Sequence, residues 1–199
     1  MIQLFMKRSG SPVIVPLNLP ASQSAIAEAS CQLDEASREG KTRIVEIKSV
    51  IANLPSYLSG FDPDSRTQLA QLNRLASIIA QMDSRERNIY AGALDGNGIN
   101  DLNDMIRVAE QVSDYILIPN VNSDVTLGRY VAVAGQIQGD LRFPEAAWPY
   151  LDFSKIGAEY YAEHGGAYTS APRYAGRKRA GGWQNRIWAN LDQSGCDDW

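Results

Sequence analysis

Two hydrophobic periodicities, each confined to its own part of the chain, limit what the sequence can fold into. From Leu69 to Met82 the apolar residues recur every three or four positions, as on one face of a helix. The segments "IQLFM", "PVIVPL" and "TRIVEIKSV" are instead short and β-branched, which is typical of strands. Because the strand-like and helical stretches occupy different regions, we predict an α+β fold.

The same patterns divide the 199-residue chain into an elongated row of three small units and a tail. Residues 1–52 are predicted to form an α/β unit with the order β-β-α-β. Residues 53–140 are predicted to form an acidic helical bundle, entered through a linker at 53–63. Residues 141–175 are predicted to form a second small α/β unit, and 176–199 a tail rich in glycine, tryptophan and basic residues.

Capping residues mark the starts of several predicted helices. Ser22 precedes the helical stretch of the first unit and is an N-cap residue type. Asp83 and Glu86 have the D-x-x-E spacing of a capping box, in which each side chain bonds the other residue's backbone N–H. Asp124 or Ser123 is expected to cap the helix through "VTLGRYVAVAG".

The C-terminal region contains a further predicted helix, from about Phe153 to Glu163, which ends at Gly165-Gly166 and leads to a strand near Ala167. Gly157 lies in its middle, where glycine costs about 1 kcal/mol relative to alanine, so we expect a close packing contact there. Three apolar or aromatic residues are expected to face the core or a partner, namely Ile156, Tyr160 and Tyr161.

Catalytic and metal-binding patterns are missing from the sequence. The sole histidine, His164, has Glu163 beside it, but adjacent helical side chains do not face each other. The stretch "DGNGINDLND" fails as a calcium loop, because positions 5, 6 and 12 are Ile99, Asn100 and Ile106. We therefore expect no enzymatic activity, no cofactor and no metal site.

The formal net charge of −4 is unevenly distributed. Residues 53–140 contain six basic and eleven acidic groups, whereas 1–52 are +1 and 141–199 are neutral. An acidic middle region repels nucleic acid and attracts basic surfaces. Direct binding of nucleic acid is therefore not expected.

The two cysteines, Cys31 and Cys196, are far apart in sequence and neither belongs to a CxxC pair. Cys31 lies within an apolar helical pattern and is predicted to be a buried thiol. This usage is consistent with a reducing cytoplasm. Neither a secretory signal nor a run of 18 apolar residues is visible, so we expect a cytoplasmic protein without a membrane span.

Several stretches between about residues 15 and 175 together resemble the ArdA-type antirestriction proteins. In the helical middle, the matching positions are Leu72, Asn73, Leu75 and Ala76, then Asp83 and Glu86, then Leu127, Gly128 and Tyr130. Near the C-terminus, the tyrosine-x-aspartate-aromatic segment and its following glycine match at Tyr150, Asp152, Phe153 and Gly157.

The resemblance implies three small domains in a row, a homodimer, and an origin in a plasmid, phage or transposon. It also implies the activity: the protein occupies the DNA-binding surface of a type I restriction-modification enzyme, with acidic groups in place of DNA phosphates and no catalysis. The alternative is an anti-CRISPR or other anti-defence protein that binds its target through an aromatic C-terminal surface.

The residues expected to bind the partner follow from these two alternatives. Residues 53–140 have a net charge of −5. The acids in this region that lie mostly off the apolar helix faces are Asp83, Glu86, Asp95, Asp101, Asp104, Glu110 and Asp114. Asp101 and Asp104 are three residues apart, and Glu110 and Asp114 four apart, so each pair is predicted to share one helix side. Two tyrosines of the aromatic stretch complete the set, Tyr160 and Tyr161.

Overall fold

The structure, a computed structural model, describes residues 1–37, 40–96, 99, 101–133, 144–164, 166–168 and 173–177. Helices and small antiparallel sheets occur together, which confirms the α+β fold class. The chain divides into two compact units, residues 1–113 (unit 1) and 114–199 (unit 2). The predicted row of three units, with joints near 52 and 140, is not confirmed.

Unit 1 begins with a three-stranded antiparallel sheet. Its strands are β1 (Ile2–Arg8), β2 (Val15–Leu19) and β3 (Thr42–Ser49), in the order β2-β1-β3. Alternation decides which face is covered, because every second residue is buried from Ile2 to Met6 in β1 and from Val15 to Leu19 in β2. The buried set is Ile2, Leu4, Met6, Val15, Leu17 and Leu19.

A β-bulge explains the irregular alternation of β3. Ile47 pairs with Leu4 and Ile44 pairs with Met6, so Val45 is an extra residue without a partner on β1. Residues 44 and 47 would lie on opposite faces of a regular strand. The bulge brings Ile44 and Ile47 to the same half-buried face and leaves Val45 48% exposed.

Helix α1 (Gln23–Ala36) begins at the predicted N-cap, where the Ser22 hydroxyl accepts a hydrogen bond from the backbone N–H of Ala25. The prediction for Cys31 is wrong, because this thiol is exposed. Only Ala29 and Leu33, four residues apart on one face, are buried. Cys31 lies two residues from each and therefore points away from that face.

The segment predicted as a linker at 53–63 instead contributes to the core of unit 1. It forms the one-turn helix α2 (Leu54–Tyr57), in which Pro55 occupies a first-turn position that tolerates the missing N–H. Leu54 and the following Leu58 are both buried. The proline and glycine residues correctly indicated a turn in this segment. The two buried leucines nevertheless make it part of the core and not a linker.

Three helices complete unit 1: α3 (Arg66–Gln81), α4 (Ser84–Gly96) and α5 (Leu102–Glu110). Helices α3 and α5 pack against each other, and α4 also contacts α5. The predicted apolar face of α3 is confirmed, since Leu72, Leu75, Ala76 and Ile79 are buried. Tyr90 of α4 is fully buried, and its hydroxyl donates a hydrogen bond to the carbonyl oxygen of Met105, 3.2 Å away.

A 3-10 helix (Val112–Asp114) leads to unit 2, whose described elements are two helices, a sheet and a second 3-10 helix (Glu145–Tyr150). The sheet contains β4 (Tyr115–Pro119), β5 (Ala167–Tyr168) and β6 (Arg173–Arg177), in the order β4-β6-β5. Strand β4 was not predicted. Its short apolar run "YILIP" has no diagnostic periodicity, and its partner β6 lies more than 50 residues later.

Helices α6 (Asp124–Val133) and α7 (Phe153–His164) pack against each other in unit 2. The predicted bounds of α7 and of the strand that follows are confirmed to within a residue. Ile156 and Tyr160 of α7 pack on a buried cluster formed by Ile118, Val121, Leu127 and Val131.

The predicted close contact at Gly157 is also confirmed. A Cβ placed on Gly157 would overlap the carbonyl of Asp124, and one placed on Gly128 would overlap the carbonyl of Phe153. The two helices therefore meet backbone to backbone.

None of the helices in the described ranges is long and apolar enough to cross a membrane. Of the predicted tail at 176–199, residues 176 and 177 instead belong to strand β6, and the rest lies outside the described residues.

Candidate partner-binding surface

Asp83 and Glu86 form the predicted capping box at the start of α4. The backbone N–H of Glu86 donates to Asp83 Oδ1 at 2.7 Å, and that of Asp83 donates to Glu86 Oε2 at 3.0 Å. Asp83 is exposed and Glu86 is half-buried. Each carboxylate is thus held in one position by a backbone N–H and keeps its negative charge near the protein surface.

Asp101 has the same role at the start of α5. Its Oδ1 accepts a hydrogen bond from the backbone N–H of Asp104, 2.9 Å away, and its side chain is exposed. Asp104 is less accessible, because its side chain is 20% exposed and Arg107 Nη2 lies 2.6 Å from its Oδ1. The predicted pair is therefore brought together at one helix end, but a cation neutralises one of its members.

Glu110 ends α5 and forms an ion pair with a neighbouring helix. Arg74 Nη2 of α3 lies 2.5 Å from Glu110 Oε1, and the two side chains are 64% and 45% exposed. A second polar contact joins the same helices, since Gln71 Nε2 donates to Asn103 Oδ1 at 2.7 Å. Polar and charged pairs therefore bridge the exposed side of the α3–α5 contact.

Asp95, near the end of α4, is bonded to residues at both ends of α2. Its Oδ1 accepts hydrogen bonds from Asn53 Nδ2 at 2.7 Å and from the Tyr57 hydroxyl at 2.9 Å. Partial burial, together with the hydrogen bond and negative charge of Asp95, raises the pKa of Tyr57 to about 12. Tyr57 therefore stays protonated and remains a donor to Asp95 throughout the physiological range.

The structure thus sorts the predicted acids into two groups. Four of them form no ion pair within the described part of the chain and are fixed by hydrogen bonds from uncharged donors. These four are Asp83, Glu86, Asp95 and Asp101. In contrast, Asp104 and Glu110 are paired with arginines. Asp114 is exposed at the end of a 3-10 helix and belongs to unit 2, so the predicted Glu110–Asp114 helix pair does not form within one helix.

The predicted aromatic residues of α7 have different surroundings. Tyr160 is half-buried against the core of unit 2. The burial of Tyr130, and to a smaller extent the neighbouring Tyr160, raises the pKa of Tyr130 to about 12. Tyr161 is 38% exposed and stacks on Tyr168, with ring centroids 5.7 Å apart and planes at 16°. Only Tyr161 of the predicted pair therefore offers an exposed ring face or edge to a partner.

Several long-range polar contacts have no local signal in the sequence. The side chain of Asn73 in α3 bonds both the N–H and the carbonyl of Ala21, at 2.8 and 3.0 Å. The Tyr168 hydroxyl donates to Asp124 Oδ1 at 2.6 Å, 44 residues away. Such partners become adjacent only in the folded chain.

Within the described ranges, no group of three or more His, Cys, Asp or Glu residues could hold a metal ion. His164 is the last residue of α7, as predicted for a helix end.

No protein-family model matches this chain, and no curated protein sequence does.

Proposed function

We propose that this protein is a non-catalytic inhibitor that binds a type I restriction-modification enzyme in place of DNA, as its resemblance to ArdA-type antirestriction proteins implies. The observation that best supports this proposal is that four of the predicted acids of unit 1 are held by hydrogen bonds and form no ion pair with a described residue. They are Asp83, Glu86, Asp95 and Asp101.

Fixed carboxylates suit this activity better than mobile ones. DNA presents its phosphates at set positions, so a protein that replaces DNA loses less conformational entropy when its negative groups are already held in place. Backbone N–H groups hold Asp83, Glu86 and Asp101, and neutral side chains hold Asp95. The DNA-binding surface of the target enzyme would supply the basic groups.

The proposal includes three further properties from the resemblance. The protein acts as a homodimer, it is encoded on a mobile genetic element such as a phage, and it works in the cytoplasm, where its target meets DNA. It needs neither a cofactor nor a catalytic residue, because occupancy of the target surface is sufficient for inhibition.

The test removes the four charges without removing the hydrogen bonds that they accept. The variant Asp83→Asn, Glu86→Gln, Asp95→Asn and Asp101→Asn keeps an acceptor oxygen at each position, and Asn and Gln are accepted in helix caps. Its binding to a type I methyltransferase core is measured by calorimetry at low and high salt. We expect about tenfold weaker binding at low salt and a smaller salt dependence.

A matched control changes the net charge by the same amount elsewhere in unit 1. It neutralises four exposed acids outside the proposed set, namely Glu28, Glu35, Asp62 and Glu46, the last of which lies 3.7 Å from Lys48. The proposal requires the control to bind more tightly than the first variant. If both folded variants bind like the wild type at both salt concentrations, charge mimicry is wrong.

A second candidate function is inhibition of another host defence complex, such as a CRISPR effector, through aromatic contacts in unit 2. It is supported by Tyr150, which is 88% exposed, and by Tyr161. Exposed tyrosines supply large contact area at low entropic cost and are enriched in binding hot spots. Loss of inhibition in Tyr150→Ala and Tyr161→Ala, with no effect of the four acid substitutions, would favour this candidate.

A further inference from the structure

Two arginines lie against predicted acids that are outside the set of four on which the proposed function rests. Arg74 reaches from α3 to Glu110 on α5, and Arg107 lies one turn along α5 from Asp104. The nitrogen–oxygen distances are 2.5 and 2.6 Å, within hydrogen-bonding range. Both arginine side chains are more than 60% exposed, and of their partners Glu110 is 45% exposed and Asp104 20% exposed.

A partner cation that approaches Glu110 or Asp104 meets a carboxylate that already has a counter-ion. It must displace the arginine or accept the weaker attraction of a neutralised pair. Displacement is feasible, because exposed ion pairs contribute little to stability and their side chains are free to swing into water. We infer that Arg74 and Arg107 are intramolecular competitors that weaken partner binding at the α3–α5 side of unit 1.

This inference rests on the proposed function, since it concerns how tightly the same acidic surface binds its target. Arg74 and Arg107 are two of the six basic residues in 53–140, and each offsets one of the eleven acids there. In the free protein, Asp104 and Glu110 remain part of the surface but do not act as full negative charges. Their contribution appears only when the arginines move aside.

The chain offers a matched control on the same helix. Arg66 is exposed in the first turn of α3, about 12 Å along the helix axis from Arg74, and forms no ion pair with a described residue. Arg66→Gln and Arg74→Gln change the net charge identically. A difference between them therefore reports release of Glu110 rather than the overall charge.

The experiment measures binding of wild type, Arg66→Gln, Arg74→Gln and Arg107→Gln to a type I methyltransferase core at low salt. We expect Arg74→Gln and Arg107→Gln each to bind about two- to fivefold more tightly than Arg66→Gln, the size that an exposed ion pair allows. The difference should shrink at high salt. Urea unfolding confirms that all variants are folded.

A double-mutant cycle tests the mechanism at one pair. In the wild type, Glu110→Gln should weaken binding less than twofold, because Arg74 already neutralises Glu110. In the Arg74→Gln background, the same change should weaken binding by about two- to fivefold.

The outcomes separate the two proposals. If the wild type binds and Arg74→Gln and Arg107→Gln bind no more tightly than Arg66→Gln, the competitor role is wrong and the proposed function stands. If neither the wild type nor any variant binds the methyltransferase core, the proposed function fails and this inference fails with it.

Discussion

Helices α3 and α5 of unit 1 meet through side chains, whereas α6 and α7 of unit 2 meet through their backbones. Helix α3 buries leucine, isoleucine and alanine, and α5 buries methionine, leucine and valine. In unit 2, Gly128 and Gly157 leave no room for even one additional carbon atom. The difference decides where sequence can vary, since side chains can repack and backbone atoms cannot.

The difference also bears on function. A contact made by side chains separates the helices enough for long polar residues to bridge their exposed side, as Arg74 and Glu110 do. A contact made by glycines draws the helices together and commits their facing positions to packing. Unit 1 can therefore carry an adaptable charged surface, whereas the α6–α7 contact of unit 2 is structural.

The largest expected effect comes from Gly157→Ala. Helix propensity alone would stabilise α7 by about 1 kcal/mol, but the added methyl overlaps the Asp124 carbonyl, so we expect a net loss of about 3 kcal/mol in unfolding free energy. Chemical denaturation measures it. The control Gly60→Ala has nothing within 4 Å of its added Cβ and should change stability by less than about 1 kcal/mol. A more stable Gly157→Ala protein would contradict the backbone contact.

Asn73→Ala tests whether unit 1 depends on polar side chains to join its elements. Asn73 bonds both backbone groups of Ala21, so its removal leaves a half-buried N–H and carbonyl without their partner. We expect a loss of about 2 kcal/mol in urea unfolding. Asn103→Ala removes only an exposed contact with Gln71 and serves as the control. Equal effects of the two changes would mean that the Ala21 contact is dispensable.

Asp83 separates the capping role of an acid from its charge. Asp83→Ala removes the acceptor for the Glu86 N–H and should cost about 1 kcal/mol, whereas Asp83→Asn keeps the cap and should be nearly neutral. Thermal unfolding of both variants measures the difference. If Asp83→Asn lowers the stability of the protein as much as Asp83→Ala does, the charge of Asp83 and not its cap hydrogen bond stabilises α4.

The smallest expected effect is a pH dependence in unit 1. Burial tends to raise the pKa of Asp64, but hydrogen bonds from Thr42 and the charge of Arg8 outweigh it and lower the pKa below its usual value. The stabilising contribution is therefore present above the usual pKa of an aspartate and is lost as pH falls through the lowered value. Asp64 is 37% exposed, so the effect is screened.

Urea unfolding of wild type and Asp64→Asn between neutral and acidic pH tests this dependence. The wild type should lose more stability on acidification than the variant does. Parallel curves for the two proteins would show that Asp64 makes no pH-dependent contribution to folding.

Local rules were sufficient for a large part of this fold. The apolar spacing of α3, the Ser22 cap, the capping box at Asp83 and Glu86 and the end of α7 all involve residues within one or two turns of each other. The penalty for glycine inside a helix also predicted that Gly157 has a close neighbour. In the candidate surface, the sequence identified the mutual partners Asp83 and Glu86 but not the partners of Asp95 and Glu110.

Other features depended on residues that meet only after folding. Strand β4 is stabilised by pairing with β6 more than 50 residues later, the bulge at Val45 depends on the register with β1, and Gly157 meets Gly128 across two helices. Arg74 neutralises Glu110 from 36 residues away. The sequence by itself determined which residues form helices, caps and acidic positions, because those preferences are local. The tertiary structure decided that Glu110 has a counter-ion, because the packing of α3 on α5 brings Arg74 to it.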